Sequence, residues 1–302
     1  MTAVAEMTNM TLKGTLKARE PMSRHTSWRA GGVAERFYQP ADLDDLARAL
    51  GSGELQSPLT VIGLGSNLLV RDGGLRGTVV CTVGALKDLT LLAPGVVRAE
   101  AGVAGAQVAR FSVKSKLNGA QFLAGIPGTV GGMLAMNAGA FGGETWRIVK
   151  AVEVMDASGR ISVRRPHEFE IGYRHVAGLG QDEWFVAAHF ALAAARPDDN
   201  VLDIRTLLDQ RAELQPVKTW NAGSVFKNPE GDHAARLIES CGLKGLRRGG
   251  AVVSEKHANF IINEGEATAA DIEWLIEHIR DTVKTETGVL LEPEVRIVGE
   301  PA

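Results

Sequence analysis

Four short runs of this 302-residue chain hold residue types able to do chemistry. The first is Gly63-Leu64-Gly65-Ser66-Asn67-Leu68, directly after the apolar run 59–62. A G-x-G-x-x-G fingerprint needs a third glycine, and that position holds Leu68, so a Rossmann loop is not predicted. Successive backbone N–H groups in such a loop can still form an anion-binding nest, with Ser66 and Asn67 adding hydrogen bonds; an ordinary turn is the other reading. The second run is Gly125-Ile126-Pro127-Gly128-Thr129-Val130-Gly131-Gly132, extended by Asn137-Ala138-Gly139-Ala140. Proline fixes the turn, and the glycines strip side chains from one surface, as a planar or extended ligand lying along the backbone requires. A tight structural loop is the alternative, which two such clusters weaken. Neither run contains GxxxxGK[ST], which argues against a P-loop kinase or ATPase.

The third run, Asn221-Ala222-Gly223-Ser224-Val225-Phe226-Lys227-Asn228-Pro229, offers a serine but no nucleophile elbow, because Phe226 stands where the closing glycine would be. Taken alone, Ser224 is a turn residue. The fourth, Leu291-Glu292-Pro293-Glu294-Val295-Arg296, places a carboxylate at the start of a terminal strand, where a solvated charge is the plain reading. The seven histidines, at 25, 167, 175, 189, 233, 257 and 278, form no HxH or HExxH spacing, so no metal site is expected. Lys244, Arg247 and Arg248 make a basic group that reads as a solvated loop or a phosphate contact.

These runs must be positioned by a mixed set of elements. Leu43, Leu46, Ala47 and Leu50 follow helical spacing, with Asp42 placed to cap. Short strands are expected at 59–62, 78–82 and 96–101, and a helix at 107–117. Residues 148–155 and 161–164 flank Asp156-Ala157-Ser158-Gly159, a hairpin signal, and 184–192 reads as a further strand. Helices are expected at 201–214 and 233–241, and strands at 251–254, 259–262 and 294–298. Residues 269–287 carry the clearest apolar stripe, with Thr268 to cap and Gly288 to stop it. Such mixing favours α+β over a doubly wound fold. Residues 1–22 read as a loosely ordered leader, and the polar stretch 196–200 as the best domain boundary, giving units 23–196 and 197–302.

Composition narrows the function classes. Lys plus Arg is 33 against 36 Asp plus Glu, a net charge of -3, without the basic balance that electrostatic nucleic-acid binding needs. Cys81 and Cys241 cannot make a disulfide framework, and a reducing compartment is the simpler expectation. No secretory h-region and no run approaching 18 apolar residues stand in the sequence. Of the 35 glycines, 17 fall between residues 63 and 143, which localises the close backbone approaches to one region.

Taken in order, Thr26-Ser27-Trp28-Arg29-Ala30-Gly31-Gly32, the 63–70 loop, the 125–132 loop, Gly172-Tyr173-Arg174, 221–229 and 291–296 resemble the UDP-N-acetylenolpyruvoylglucosamine reductases, the MurB-type flavoenzymes of peptidoglycan synthesis. The likeness covers roughly residues 23–299. It implies an N-terminal FAD-binding region of the vanillyl-alcohol-oxidase type, built from two α+β subdomains, and a C-terminal α+β substrate-binding domain. It also implies non-covalent FAD, NADPH as hydride donor, UDP-N-acetylglucosamine enolpyruvate as acceptor, UDP-N-acetylmuramate as product and a cytoplasmic place of work. Gly63, Gly65, Ser66, Asn67 and Leu68 would hold the FAD pyrophosphate. Gly125, Ile126, Pro127, Gly128, Thr129 and Gly132 would lie along the flavin. Arg174 would bind the substrate carboxylate as charge grows, Glu294 would partner the same site, and Ser224 would give a proton to C2. Tyr173, Lys227 and Asn228 would contact the substrate.

Two departures from the family pattern stand out. The only tyrosines are Tyr38 and Tyr173, so the chain resembles the shorter subtype that lacks a loop tyrosine over the uridine. Leu214 occupies a position before Gln215-Pro216 that is often basic, which moves the expected phosphate partner to Lys218 or the Arg247 region. Two other readings are a related FAD oxidase or dehydrogenase acting on another sugar or alcohol, and a non-catalytic UDP-sugar-binding protein. The joint contexts of Ser224 and Glu294 speak against the first, and bound flavin would exclude the second.

Overall fold

The computed structural model describes residues 12–196 and 203–302. Its first sheet runs in the order Thr15–Pro21, Val33–Gln39, Leu75–Cys81, Leu59–Ile62. The outer pair Thr15–Pro21 and Val33–Gln39 is antiparallel, and the other two pairings are parallel. Parallel neighbours need a crossover. Helix α1 (Leu43–Gly51) supplies one, and Asp42 caps it by accepting from the Asp45 N–H at 2.7 Å. Leu75–Cys81 is buried on both faces, by Phe37, Ile62 and Val70 on one side and by Leu46, Leu50 and Leu86 on the other. That double burial is why consecutive residues Val79, Val80 and Cys81, which point to alternate faces, are all apolar and buried.

The second sheet is antiparallel, in the order Ile161–Arg164, Val149–Asp156, Glu183–Ala191, Val96–Glu100, Leu89–Ala93. One face sets Val97, Ala99, Val152, Val154 and Phe190 against α2 (Gly105–Lys114) and α3 (Val130–Ala135). The hairpin signal at 156–159 is met, with Asp156 Oδ1 accepting from the N–H groups of Ser158 (2.9 Å) and Arg160 (3.1 Å).

After α4 (Ile204–Leu214), the C-terminal part packs α5 (Ala234–Ser240) and α6 (Ala269–Thr287) on a small antiparallel sheet, Arg247–Arg248, Ala251–Val253 and Ile261–Asn263. The expected α6 boundaries hold. Thr268 accepts from the Asp271 N–H at 3.1 Å, and Gly288 closes the helix at φ 76°. Its stripe of Ile272, Leu275, Ile276, Ile279 and Val283 is fully buried. Each such side chain contributes about 1.5–3 kcal/mol.

Three expectations need correction. Thr15–Pro21 is an edge strand rather than part of a loose leader; residues 1–11 of that leader lie outside the described residues. It shows no apolar alternation, because backbone pairing to Val33–Gln39 and the Glu20–His25 contact hold it instead of burial. The helix expected at 107–117 starts at Gly105 and stops at Lys114, since Leu117–Asn118 pairs with Ala193–Ala194. The strand expected at 259–262 is Ile261–Asn263, because Asn259 gives both ends of its side-chain amide to the main chain of Phe226. The expected boundary stretch 197–200 and residues 201–202 of the expected helix lie outside the described residues.

Candidate active site

The two glycine runs face each other. Gly65 has φ 61°, and a Cβ there would collide with the His25 carbonyl oxygen, so the loop's path is reserved for glycine. Among the described residues, none accepts a hydrogen bond from the backbone N–H groups of Leu64, Gly65, Ser66 or Asn67. Four consecutive free donors form the nest that a pyrophosphate requires. The 125–132 loop closes against this one. A Cβ on Gly63 would collide with Thr129 Oγ1, and Ser66 Oγ lies 3.5 Å from where a side chain on Gly128 would begin. Thr129 Oγ1 is buried without a hydrogen-bond partner among the described residues, and beside Gly132 a Cβ would meet open space. Free amides, an orphaned hydroxyl and the open space beside Gly132 fit an extended dinucleotide such as FAD, whereas Gly125 and Gly131 are needed for close packing against Phe141 and Ala101. Asn67 takes a different part from the one expected of its side chain. Its Nδ2 donates to the Glu294 carbonyl at 2.9 Å and to Met136 Sδ at 3.4 Å, and its own carbonyl accepts from the Arg296 N–H at 2.9 Å. It therefore ties the first glycine loop to the Glu294 segment.

Arg174 occupies the turn between Glu170–Gly172 and His175–Ala177, at φ 51°. Its Nε donates to Glu294 Oε1 at 3.0 Å, its Nη1 to the Asn137 carbonyl at 3.3 Å and its Nη2 to the Gly139 carbonyl at 3.1 Å. A guanidinium has five N–H donors, so one on each Nη is left for a ligand carboxylate. Both side chains of the ion pair are largely shielded, Arg174 at 17% exposure and Glu294 at 12%. Burial pushes the Glu294 carboxyl above the usual carboxylate range, against the opposing pull of Arg174 and Lys227.

Ser224 follows Gly223, which stands at φ 75° after Asn221 Oδ1 accepts the Gly223 N–H at 2.9 Å. The serine is half-buried, and its hydroxyl has no hydrogen-bond partner among the described residues. The next residue is joined to the Glu294 segment, with the Glu294 N–H donating to the Val225 carbonyl at 2.7 Å. So 221–226, Glu294 and Asn67 share one hydrogen-bonded edge, and Glu294 links it to Arg174. Tyr173 is 48% exposed, with the Arg174 guanidinium 5.1 Å from its ring centroid. Lys227 Nζ reaches Glu292 at 3.3 Å, and Asn228 Oδ1 accepts from the Ala234 N–H at 3.1 Å, so both are partly engaged in local structure.

Sequence reasoning missed three residues here. Arg211 on α4 donates to the Gly125 carbonyl and, at 2.8 Å, to Gln215 Oε1, placing a cation on the glycine loop. Arg247, an expected alternative, is paired with Glu264 instead, and Lys244 with Glu239. Leu214 marks the lost basic position, and Arg211 precedes it by three residues, which is the signal that was available. Asn137 and Asn259 carry no local signal beyond being buried polar residues, which only the fold reveals. No group of three or more His, Cys, Asp or Glu that could hold a metal occurs among the described residues.

An FAD-binding enzyme is the class that these paired loops and the adjoining charged cluster define. Residues 34–163 match the family described as FAD binding domain, and residues 215–298 match UDP-N-acetylenolpyruvoylglucosamine reductase, C-terminal domain. The chain is 58% identical to the UDP-N-acetylenolpyruvoylglucosamine reductase of Methylococcus capsulatus, over 95% of this chain and 94% of the relative. It is 56% identical to that of Alkalilimnicola ehrlichii, over 95% and 96%. The crystal structure of the Thermus caldophilus enzyme superposes with a TM-score of 0.78 at 31% identity, covering 94% of this chain and 99% of that one. The chain belongs to the UDP-N-acetylenolpyruvoylglucosamine reductase family. Its α+β fold, with an FAD-binding region in two subdomains and a C-terminal α+β part, is the one the sequence resemblance implies.

Proposed function

We propose that this chain reduces the enolpyruvyl group of UDP-N-acetylglucosamine enolpyruvate to give UDP-N-acetylmuramate, with FAD bound non-covalently and NADPH as reductant. The observation that carries the reading is the Arg174–Glu294 pair, drawn from two distant parts of the chain onto one edge with Ser224, whose hydroxyl has no partner among the described residues. When bound along the 64–67 and 125–132 loops, FAD would supply the chemistry of hydride transfer from NADPH to the enolpyruvyl group. Arg174 offers its two remaining N–H groups to the substrate carboxylate, which takes up negative charge as C3 accepts the hydride. Glu294 holds the guanidinium through Nε and, where protonated, donates to the same carboxylate. Ser224 Oγ delivers the proton to C2, since a carbanion-like carbon is basic enough to draw it from a hydroxyl. The amides of 64–67 and the surface of 125–132 hold the cofactor, and Tyr173, Lys227 and Asn228 contact the nucleotide-sugar. We assign residues 23–196 to the cofactor and 197–302 to the substrate. A cytoplasmic place of work agrees with a nucleotide-sugar substrate and NADPH, and no helix among the described residues is long and apolar enough to cross a membrane.

The test separates the two half-reactions. Reduced anaerobically with NADPH and then mixed with the enolpyruvyl substrate, the holoenzyme should regain its oxidised flavin absorbance. Ser224→Ala should be reduced by NADPH at nearly the wild-type rate but reoxidise about 10²–10⁴-fold more slowly, the range typical of lost acid catalysis. Flavin that stays reduced in the wild-type enzyme would refute the activity, and near-normal reoxidation in the variant would refute the role of Ser224.

A further inference from the structure

Asn137 is 1% exposed and stands at φ 45°, a left-handed conformation that is uncommon outside glycine. It lies just past the end of α3, and its side chain is fully engaged. Oδ1 accepts from the Trp146 N–H at 3.1 Å, while Nδ2 donates to the Gly172 carbonyl at 3.0 Å and approaches Glu144 Oε2 at 3.4 Å. Trp146 is itself anchored, through Nε1 to the Leu134 carbonyl at 2.8 Å and by ring contacts with Phe169 and Phe185. The main-chain carbonyl of Asn137 accepts from Arg174 Nη1, and that of Gly139 accepts from Nη2. One residue thus joins the end of α3, the Trp146 segment and the hairpin whose turn presents Arg174. A buried amide and a left-handed backbone persist together only where the surroundings over-determine them.

We propose that Asn137 is a positioning residue for the reaction, setting the guanidinium of Arg174 in the plane in which it meets the substrate carboxylate. The proposal rests on the carboxylate-binding role given to Arg174 above. Its side chain fixes the Gly172 carbonyl two residues before Arg174, and its backbone turn aims two carbonyls at the two Nη atoms. Those carbonyls choose which N–H groups stay free. Without the amide, the Gly172 carbonyl loses its tie to the end of α3, the left-handed turn relaxes and the guanidinium follows its remaining anchor, Glu294. The fork then stays charged and present but loses its alignment. A misaligned fork still attracts a carboxylate, so the rate of the charge-building step falls more than ground-state affinity does.

The experiment uses the FAD-loaded enzyme and the variants Asn137→Ala, Asn137→Gly, Arg174→Ala and the two corresponding doubles. Asn137→Gly keeps the left-handed backbone accessible and removes only the amide. Both single Asn137 variants should retain FAD and be reduced by NADPH at the wild-type rate. Their reoxidation by substrate should slow about ten- to a hundredfold, the effect of misplacing a reacting group by about 1 Å. Substrate affinity, read from the perturbation of the oxidised flavin spectrum, should change far less. In the Arg174→Ala background, either Asn137 substitution should add nothing. Multiplicative effects in the doubles, equal slowing of both half-reactions, wild-type reoxidation in the singles, or loss of FAD from both would each overturn the proposal. If Arg174→Ala itself reoxidises at the wild-type rate, the carboxylate role of Arg174 falls, and the role of Asn137 falls with it.

Discussion

Glu294 meets two opposed demands. As a carboxylate it anchors Arg174 Nε, and as an acid it can donate to a bound ligand. Burial resolves the tension toward the acid by raising its proton affinity above the ordinary value near 4.5. For an acid with a raised folded value, the linked stability is present in full below the unfolded value and is lost as pH rises through the folded one. The unfolding temperature of the wild type should therefore fall relative to that of Glu294→Gln as pH is raised from about 4 to about 8. Parallel curves for the two proteins would show that burial does not hold this proton. Little of this was legible locally. The carboxylate opening the terminal strand reads locally as a solvated charge, yet Glu294 is shielded, because it turns toward an arginine 120 positions away while Glu292 stays exposed.

At the scale of elements, the helices and the 156–159 hairpin were the most legible parts. Their determinants, a capping side chain, an apolar stripe and a stop glycine, lie within a few residues of one another. The strand ends were less so, since Leu117–Asn118 and Ile261–Asn263 are defined by partners elsewhere in the chain. The glycine loops stand between these cases. The sequence shows that side chains are missing, and the fold shows what the space is kept for. Thr129→Val removes a buried hydroxyl that has no partner within the described residues. The apoprotein should be at least as stable as wild type by thermal unfolding, because an unsatisfied buried donor is destabilising. The affinity for FAD, measured by fluorescence quenching, should fall about three- to tenfold, the loss of one hydrogen bond of about 1 kcal/mol. Unchanged affinity would place that hydroxyl away from the cofactor.

At the scale of the whole molecule, the C-terminal part is stitched to the first half. Arg296–Val298 runs parallel to Leu68–Val70, Arg71 makes a bidentate contact with Glu273, and Asp72 accepts from the first N–H groups of α6. Trp28 adds an apolar anchor to this joint. It is fully buried in the core built around α5 and α6, donates to the Ile261 carbonyl at 2.7 Å and receives Asn263 Nδ2 on its own carbonyl at 2.7 Å. Trp28→Ala should lower the unfolding free energy by about 3–5 kcal/mol in chemical denaturation. A variant as stable as wild type would show that the two parts do not depend on this contact. The sequence by itself determined the order of the motifs, the α+β class, the capped helices and the glycine-poor and glycine-rich stretches, because each depends on neighbours along the chain. Only the tertiary structure decided that Arg174, Glu294 and the Ser224 segment share one edge, that Asn67 joins a glycine loop to Glu294, and that Asn137 and Asn259 are buried amides. Those outcomes depend on hydrogen bonds between residues up to 227 positions apart, and no local pattern encodes which distant carbonyl a side chain will meet.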